Sequence, residues 1–331
     1  MERFFIELKV RNKKKKIPAI KIGNFIITSI GKILKKASIY KEDWHAFFLN
    51  NSIDEILAGI KKSDLKADIF VFGQKVPDVV PYLKYHYEWD NIAAIPITTY
   101  QDWLSSLSSD ARKDLKRAVR MGVMTKIVDF SDELVLGIME IHNEAPIRQG
   151  RYFVHYGKDF DTVKAEYSTY PDRSSFIAAY HNDELIGLIK IVYVGEVASI
   201  MEILSKISHY DKRPTNALIA KAVEICVEKK KSYLTYGKYH YGKKRKDSVV
   251  DFKNRMGFLK IKYPRYFIPL TLKGRVAIFL GLHRESLDLI PGFIMFLYHK
   301  LRAEIMKKKY SGLMNTKKVD NEIKGNSCKY S

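Results

Sequence analysis

The chain has 331 residues, 46% hydrophobic and 12% aromatic, enough for a buried core, which excludes a disordered chain, a disulfide mini-scaffold and a collagen-like fibre. Lys and Arg number 58 against 37 Asp and Glu, a net charge of +21. That excess points to an anionic partner: RNA, a nucleotide-linked or CoA-linked substrate, or an acidic membrane surface; its plain alternative is general solubility. Cys226 and Cys328 fit no metal-ligand spacing, so no metal site is expected and a reducing compartment is. The N-terminus lacks a signal-peptide apolar region, and no run of 18 apolar residues occurs. The expectation is a cytoplasmic protein with no transmembrane span.

Residues 1–98 read as a mixed α/β region. Phe4 to Val10 and Ile20 to Thr28 predict strands, with the basic run Arg11 to Lys16 as a solvated hairpin tip between them. Ser52-Ile53-Asp54-Glu55 is a capping box for a helix, and Ala67 to Phe72 and Asp90 to Ile97 predict buried strands. Tyr100 to Leu107 and Asp110 to Met121 predict helices, with Ser108 and Ser109 between them as cap residues and Gly122 as the stop. Val123 to Val128 predicts a strand, and Ser131 caps a helix running to about Asn143. A further helix is expected over 157–169. Three strands follow, Ser175 to Tyr180, Leu185 to Val194 and Val197 to Ser205, joined by hairpin chemistry. Pro214 opens a helix at its first position, Tyr233 to Tyr236 is a short strand, and Asp247 to Met256 is a helix closed by Gly257. Leu259 to Ile261 and Tyr266 to Leu270 predict two final strands. Residues 273–310 read as amphipathic basic helices able to lie on a membrane or pack on the domain, and 311–331 as a disordered tail.

Three local patterns carry a resemblance. Trp103-Leu104-Ser105-Ser106-Leu107 is followed by Arg112 to Ala118 and Gly122-Val123. Pro214-Thr215-Asn216-Ala217-Leu218-Ile219 opens the central helix ahead of a strand ending in Tyr236-Gly237. Asp251-Phe252-Lys253-Asn254-Arg255-Met256-Gly257-Phe258 precedes the strand Tyr266 to Leu270. With the order β-α-α-β-β-β-α-β-α-β, residues 96–271 resemble the GNAT acyltransferase superfamily, nearest its Fem-type and BioF2-like acetyltransferase branch. The fold class expected is α/β (α+β): a mixed, mostly antiparallel GNAT-like sheet flanked by helices. The domains expected are 1–98, an N-terminal α/β region; 99–272, the acyltransferase domain; 273–310, the basic helices; and the tail.

The resemblance implies transfer of an acyl group from a thioester or aminoacyl ester to an amine or hydroxyl, in a gap where two parallel strands splay. No GxSxG elbow and no supported Cys–His pair occurs, which favours direct attack over a covalent intermediate. Orientation and oxyanion stabilisation would then supply most of the rate. Lys212, Arg213, Thr215, Asn216 and Ala217 are the candidate donor site at a helix N-terminus, though both glycines of the usual CoA pyrophosphate loop are missing. The Phe252-Lys253 pair resembles that of the Fem branch, which makes Lys253 the candidate oxyanion clamp and Phe252 its neighbour at the substrate. Glu202, a carboxylate within an apolar strand, is the candidate general base, with Ile200 and Leu204 expected on its face. His142 is the alternative base. Arg148 and Arg151 are candidates to hold an acidic or phosphorylated acceptor, Glu144 is a substrate-binding candidate in the same polar set, and Tyr236 and Tyr239 are candidates to bind substrate or protonate the leaving group. Each has a plain structural alternative as a surface charge, a helix start or a core aromatic.

The first expectation is acyl-CoA, in the form of acetyl-CoA, as donor and a small-molecule or glycan-precursor amine or hydroxyl as acceptor. The second is a Fem-type enzyme using aminoacyl-tRNA, favoured by the charge and the missing glycines. The third is a non-catalytic basic protein that binds nucleic acid or an acidic membrane surface peripherally.

Overall fold

Alternation of apolar and polar residues builds the strands of this chain, and the helices between them carry one apolar face each. The structure is a computed structural model that describes residues 2–10, 13–23, 25–40, 53–148, 150–240, 248–284 and part of 300–308. The first half holds β1 (Phe4–Val10), β2 (Lys13–Ile22), β3 (Phe25–Ile30), β4 (Lys36–Ile39), α1 (Ile53–Lys62), β5 (Ile69–Gly73) and β6 (Tyr87–Pro96). Helices α2 (Tyr100–Ser106) and α3 (Ser109–Arg120) lead to β7 (Met124–Val128) and α4 (Asp132–Asn143). Thr99, Ser108 and Ser131 cap these three helices with their hydroxyls. Next come the small hairpin β8 (Ile147–Arg148) and β9 (Arg151–Tyr152), then α5 (Phe160–Tyr167), β10 (Ser174–His181), β11 (Glu184–Val194) and β12 (Val197–Ser205). The chain continues through α6 (Pro214–Glu228), β13 (Tyr233–Thr235), α7 (Ser248–Arg255), β14 (Leu259–Pro269) and α8 (Leu272–Phe279).

Twelve strands form one sheet in the order β1-β2-β3-β4-β5-β14-β6-β13-β12-β11-β10-β7. Among the described residues two neighbouring pairs are parallel, β4 with β5 and β12 with β13, and each is only three residue pairs long. A helix makes the crossover in both cases, α1 in the first and α6 in the second. The sheet therefore reads alike from its centre towards either edge. The halves also exchange a strand: β6 lies against β13, and β14 lies against β5. Strands β6 and β14 pair with each other along eight residues, from Leu259↔Ala94 to Tyr266↔Tyr87.

Burial follows this plan. Leu218, Ile219, Ala222, Val223 and Cys226 of α6 pack with Trp103, Leu115 and the inner residues of β10–β13. The same burial pushes the Cys226 thiol up to about 12, so it is an inert core residue. Leu134, Ile138 and Ile141 of α4 pack with Val163 and Tyr167 of α5 and with Leu188 and Leu204 in a second core. Ile56, Leu57 and Ile60 of α1 cover Ile20, Ile27, Phe70 and Tyr266 in a third. Helix α8 docks through Gly274, where an added Cβ would lie 1.9 Å from the Asp68 carbonyl oxygen.

Three sequence expectations are corrected. Lys13–Lys16 belong to β2, paired opposite Glu7–Val10, instead of to a hairpin tip. The strand expected over Ile20 to Thr28 is two, parted at Gly23, whose φ of +53° turns the chain. The two final strands are one: Pro264 interrupts the sequence pattern but not the strand, since pairing with β5 begins only at Arg265. Ser52, the loop 241–247, most of 285–310 and the tail lie outside the described residues. No described helix is long and apolar enough to cross a membrane.

The strand exchange predicts the behaviour of a fragment. A chain lacking residues 1–98 loses β6, so β13 and β14 each lose a neighbour. It is expected to show no cooperative thermal transition by circular dichroism. A sharp melt would mean that 99–272 folds alone.

Candidate active site

The site begins where the parallel pairing of β12 and β13 stops. The last pair is Ser199↔Thr235. Beyond it, β12 stays bonded to β11 as far as Ser205. The other strand's chain stays on β6: Tyr236 N–H donates to the Ala93 carbonyl (2.8 Å), the Ala93 N–H to Gly237 O (2.9 Å), and His240 N–H to Asn91 Oδ1 (2.7 Å). A wedge opens between residues 200–205 and 236–240. Ile203, Tyr236, Tyr239 and Phe252 border it on the α6 side, and they are only partly buried.

A β-bulge sets the β12 wall. Lys190 pairs with Glu202 and Ile191 with Ile200, which leaves Met201 over. Ile200 therefore belongs to the α6 core, while Glu202 lies with Leu204 under α4 and α5. The expectation that Ile200 shares the face of Glu202 fails for this reason. Burial raises the Glu202 carboxyl above the usual range, and the nearby His155 and Lys158 charges offset only part of that rise. Among the described residues its carboxyl has no hydrogen-bond partner.

Around Glu202 stand His142 and three groups that the sequence reading missed, Lys190, Lys158 and Glu166. Lys190, 2% exposed, donates from Nζ to the Tyr167 carbonyl (2.6 Å) and to the carbonyl and Oγ1 of Thr169 (2.6 and 2.8 Å). It fixes the end of α5 over this face. A lysine between Ile189 and Ile191 was as conspicuous as Glu202 in its own strand. Lys158 donates to both oxygens of Glu166 at 2.6 Å. Burial works against the Glu166 charge, but His155 and Lys158 hold that carboxyl down to about 2. His142, 1% exposed, has Nε2 3.4 Å from the Tyr167 hydroxyl. Burial, with the charges of His155, Lys158 and Arg148, brings it down to about 3. Burial thus favours its neutral form, which counts against it as the alternative base.

Lys253 defines the other wall. It is 1% exposed, so it is no surface lysine; Nζ donates to the Lys238 carbonyl (2.7 Å) and lies 4.4 Å from the centre of the Tyr236 ring. Phe252 and Tyr239 pack beside it on the α6 core. On the face opposite α6, Ser199, Thr235, Asn91, Lys75, Lys238 and Arg265 line a cavity of about 170 Å³. Asp90 accepts from Arg265 Nε (2.9 Å) and pairs with Lys238 (3.1 Å). These two cations overcome the burial penalty and hold its carboxyl below the usual range.

The expected donor-site residues tie α6 into the frame. Arg213, at φ +58°, pairs through Nε with Asp114 (3.0 Å), which Arg255 also reaches (2.5 Å). Thr215 Oγ1 is 3.0 Å from Ser205 Oγ, and the Asn216 amide donates inward to Met256 Sδ (3.2 Å). The N–H groups of Asn216 and Ala217 turn back to the Arg213 carbonyl (3.1 and 3.3 Å). Lys212 pairs with its neighbour Asp211 (3.5 Å). The first turn of α6 is thus closed on itself. Glu144 and Arg148 are also engaged with backbone. Glu144 accepts from the N–H groups of Ile207 and Ser208 (2.5 and 2.8 Å). Arg148 donates to the carbonyls of Ser205 (3.0 Å) and Ile141 and lies over Phe153. They brace the ends of β12 and α4 instead of opening towards an acceptor. Arg151 is exposed on β9.

No protein-family model matches the chain, and no curated protein matches it. Solved structures do. The crystal structure of FemX superposes with a TM-score of 0.56 at 9% identity, covering 83% of this chain and 90% of that one. L-PGS from Bacillus licheniformis gives 0.49 at 15% identity, with 78% and 85% covered. A tandem GNAT protein from the clavulanic acid biosynthesis pathway gives 0.40 at 8% identity, with 77% and 83% covered. The chain shares the fold of FemX, in keeping with the Fem-type branch that its sequence resembles.

The buried His142 gives a pH test. Its folded value lies below the unfolded one, so its stabilising effect is complete above pH 6.5 and is lost as pH falls towards 3. The melting temperature of wild type relative to His142→Gln should therefore fall steadily across that window. A difference independent of pH would show that His142 protonates as readily in the fold as outside it.

Proposed function

We propose that this chain is an acyltransferase working by direct attack in the wedge between β12 and β13. The observation that carries this reading is the buried Lys253, held against Tyr236 and the Lys238 carbonyl on one wall, with the high-pKa carboxyl of Glu202 on the other. An amine or hydroxyl of the acceptor attacks the carbonyl carbon of an activated ester or thioester. The new C–N or C–O bond forms as the carbonyl electrons move onto oxygen, where the Lys253 ammonium stabilises them. Glu202 takes the acceptor's proton; its raised pKa makes it a better base than an ordinary carboxylate. Collapse breaks the bond to the donor, and Tyr236 is the candidate to give the leaving group its proton.

Two donors fit this chemistry. The first is acyl-CoA, acetyl-CoA by expectation, with a small-molecule or glycan-precursor acceptor. The second, an aminoacyl ester on tRNA, is favoured by the closed first turn of α6, which offers little to a pyrophosphate, and by the +21 charge. Thermal-shift titration separates them. Stabilisation by acetyl-CoA and free CoA but not by tRNA selects the first, and a salt-sensitive shift with charged tRNA selects the second.

With the donor found, Lys253→Met is expected to lower kcat by roughly 10²–10³-fold and Glu202→Gln by roughly 10²–10⁴-fold. In each case the melting curve should stay cooperative. Rates within threefold of wild type in both variants would remove this site. The exposed Leu272, Val276 and Phe279 beside Lys273 and Arg275 support contact with an acidic membrane surface as a further partner. Co-flotation with anionic but not neutral vesicles, lost in a Leu272→Ser/Phe279→Ser double variant, is the expected result.

A further inference from the structure

We propose that His86, Glu88 and His283 form a binding site for a divalent transition-metal ion of the zinc class, which straps the chain after α8 onto the central strand β6. The three ligand atoms, one from each residue, lie within 4.8 Å of one another. His283 Nε2 is 2.9 Å from Glu88 Oε1, and His86 Nε2 is 3.9 Å from the same oxygen. Tetrahedral zinc with bonds of about 2.0–2.2 Å sets its ligand atoms about 3.3–3.6 Å apart. The observed separations bracket that spacing. His86, whose side chain is 46% exposed, has room to turn and meet the ion.

The scaffold is built before any ion arrives. His86 immediately precedes β6 and Glu88 is its second residue; the Phe267 N–H bond to the His86 carbonyl continues the β14 pairing by one residue, so the two side chains lie two apart on one face. The His86 carbonyl accepts from the Phe267 N–H (2.9 Å), which anchors it to β14. His283 follows α8; its carbonyl accepts from Lys36 Nζ, and its ring packs on Phe267 at 4.5 Å and edge-on to His86 at 5.3 Å. The His283 side chain is 1% exposed, and among the described residues its Nδ1 has no hydrogen-bond partner. Among those residues the polarity of the ring is met at Nε2, where the other two ligand atoms converge. Arg284 Nε donates to the same Glu88 Oε1 (2.9 Å), so a bound ion would take Oε2 or displace this contact, leaving the guanidinium to orient the carboxylate.

Two imidazole nitrogens and one carboxylate oxygen suit zinc, nickel or copper(II) and not magnesium or calcium, which take oxygen ligands. The exposed side leaves the fourth position to water. These residues have no part in the acyl-transfer proposal, so the two stand or fall separately. Spacing rules could not find the set, because Glu88 and His283 are 195 residues apart.

The test uses the untagged full chain, stripped with chelator and titrated with zinc chloride by calorimetry. One ion per chain is expected, with a higher melting temperature, and cobalt(II) should give the intense visible bands of a four-coordinate site. His86→Ala is expected to weaken zinc at least about tenfold without changing the melting temperature of the stripped protein. Glu88→Gln is the second variant, since His283→Ala removes a buried ring. Absence of zinc binding by wild type overturns the proposal. So does a loss of less than tenfold in both variants.

Discussion

Every backbone N–H and C=O in a sheet needs a partner, and a strand has two edges to share. After Ser199↔Thr235 the two parallel strands follow different neighbours, one bonded to β11 and the other chain to β6. Their facing edges are left as main-chain donors and acceptors with a gap between them. A substrate lying in that gap meets polar backbone from both sides, much as an added strand would. The gap exists because the first half of the chain supplies β6. Without that strand, nothing would draw residues 236–240 away from β12.

Polar residues near the gap divide by what already holds them. Arg213, Arg255 and Asp114 join α6, α7 and α3, and Thr215 meets Ser205. Arg148 and Glu144 close the ends of neighbouring elements. These contacts give the walls a fixed position, which direct transfer needs more than it needs strong binding. Glu202 differs in kind: its carboxyl is buried without such a bond, and the cost of that burial is expressed as a stronger affinity for a proton.

Much of the fold was legible. The helix from Pro214, the hairpins at 182–183 and 195–196 and the stop at Gly257 depend on local chemistry, and all stand where their residues place them. Glu202 was singled out because a charge within an apolar strand is costly, and Lys253 because the Phe252-Lys253 pair resembles that of the Fem branch. The misses are non-local. Residues 1–98 read as a separate α/β region, although β6 and β14 are exchanged between the halves of one sheet. The bulge at Met201 reversed the face assigned to Ile200, and alternation alone cannot register one extra residue. Arg148 carried the right chemistry for an acidic ligand, but only the folded chain reveals that backbone groups occupy it, as they do Glu144.

The pairing of β5 with β14 also bears on biosynthesis. Ile69 and its partner Pro269 are separated by 200 residues of chain. At a ribosome's roughly 5–20 residues per second, β5 waits about 10–40 s for its neighbour. During that interval Phe70, Val71 and Phe72 present an open strand margin, the kind of edge that pairs with other nascent chains. The same exchange that opens the wedge thus leaves the newborn polypeptide in need of protection until its last strand has emerged.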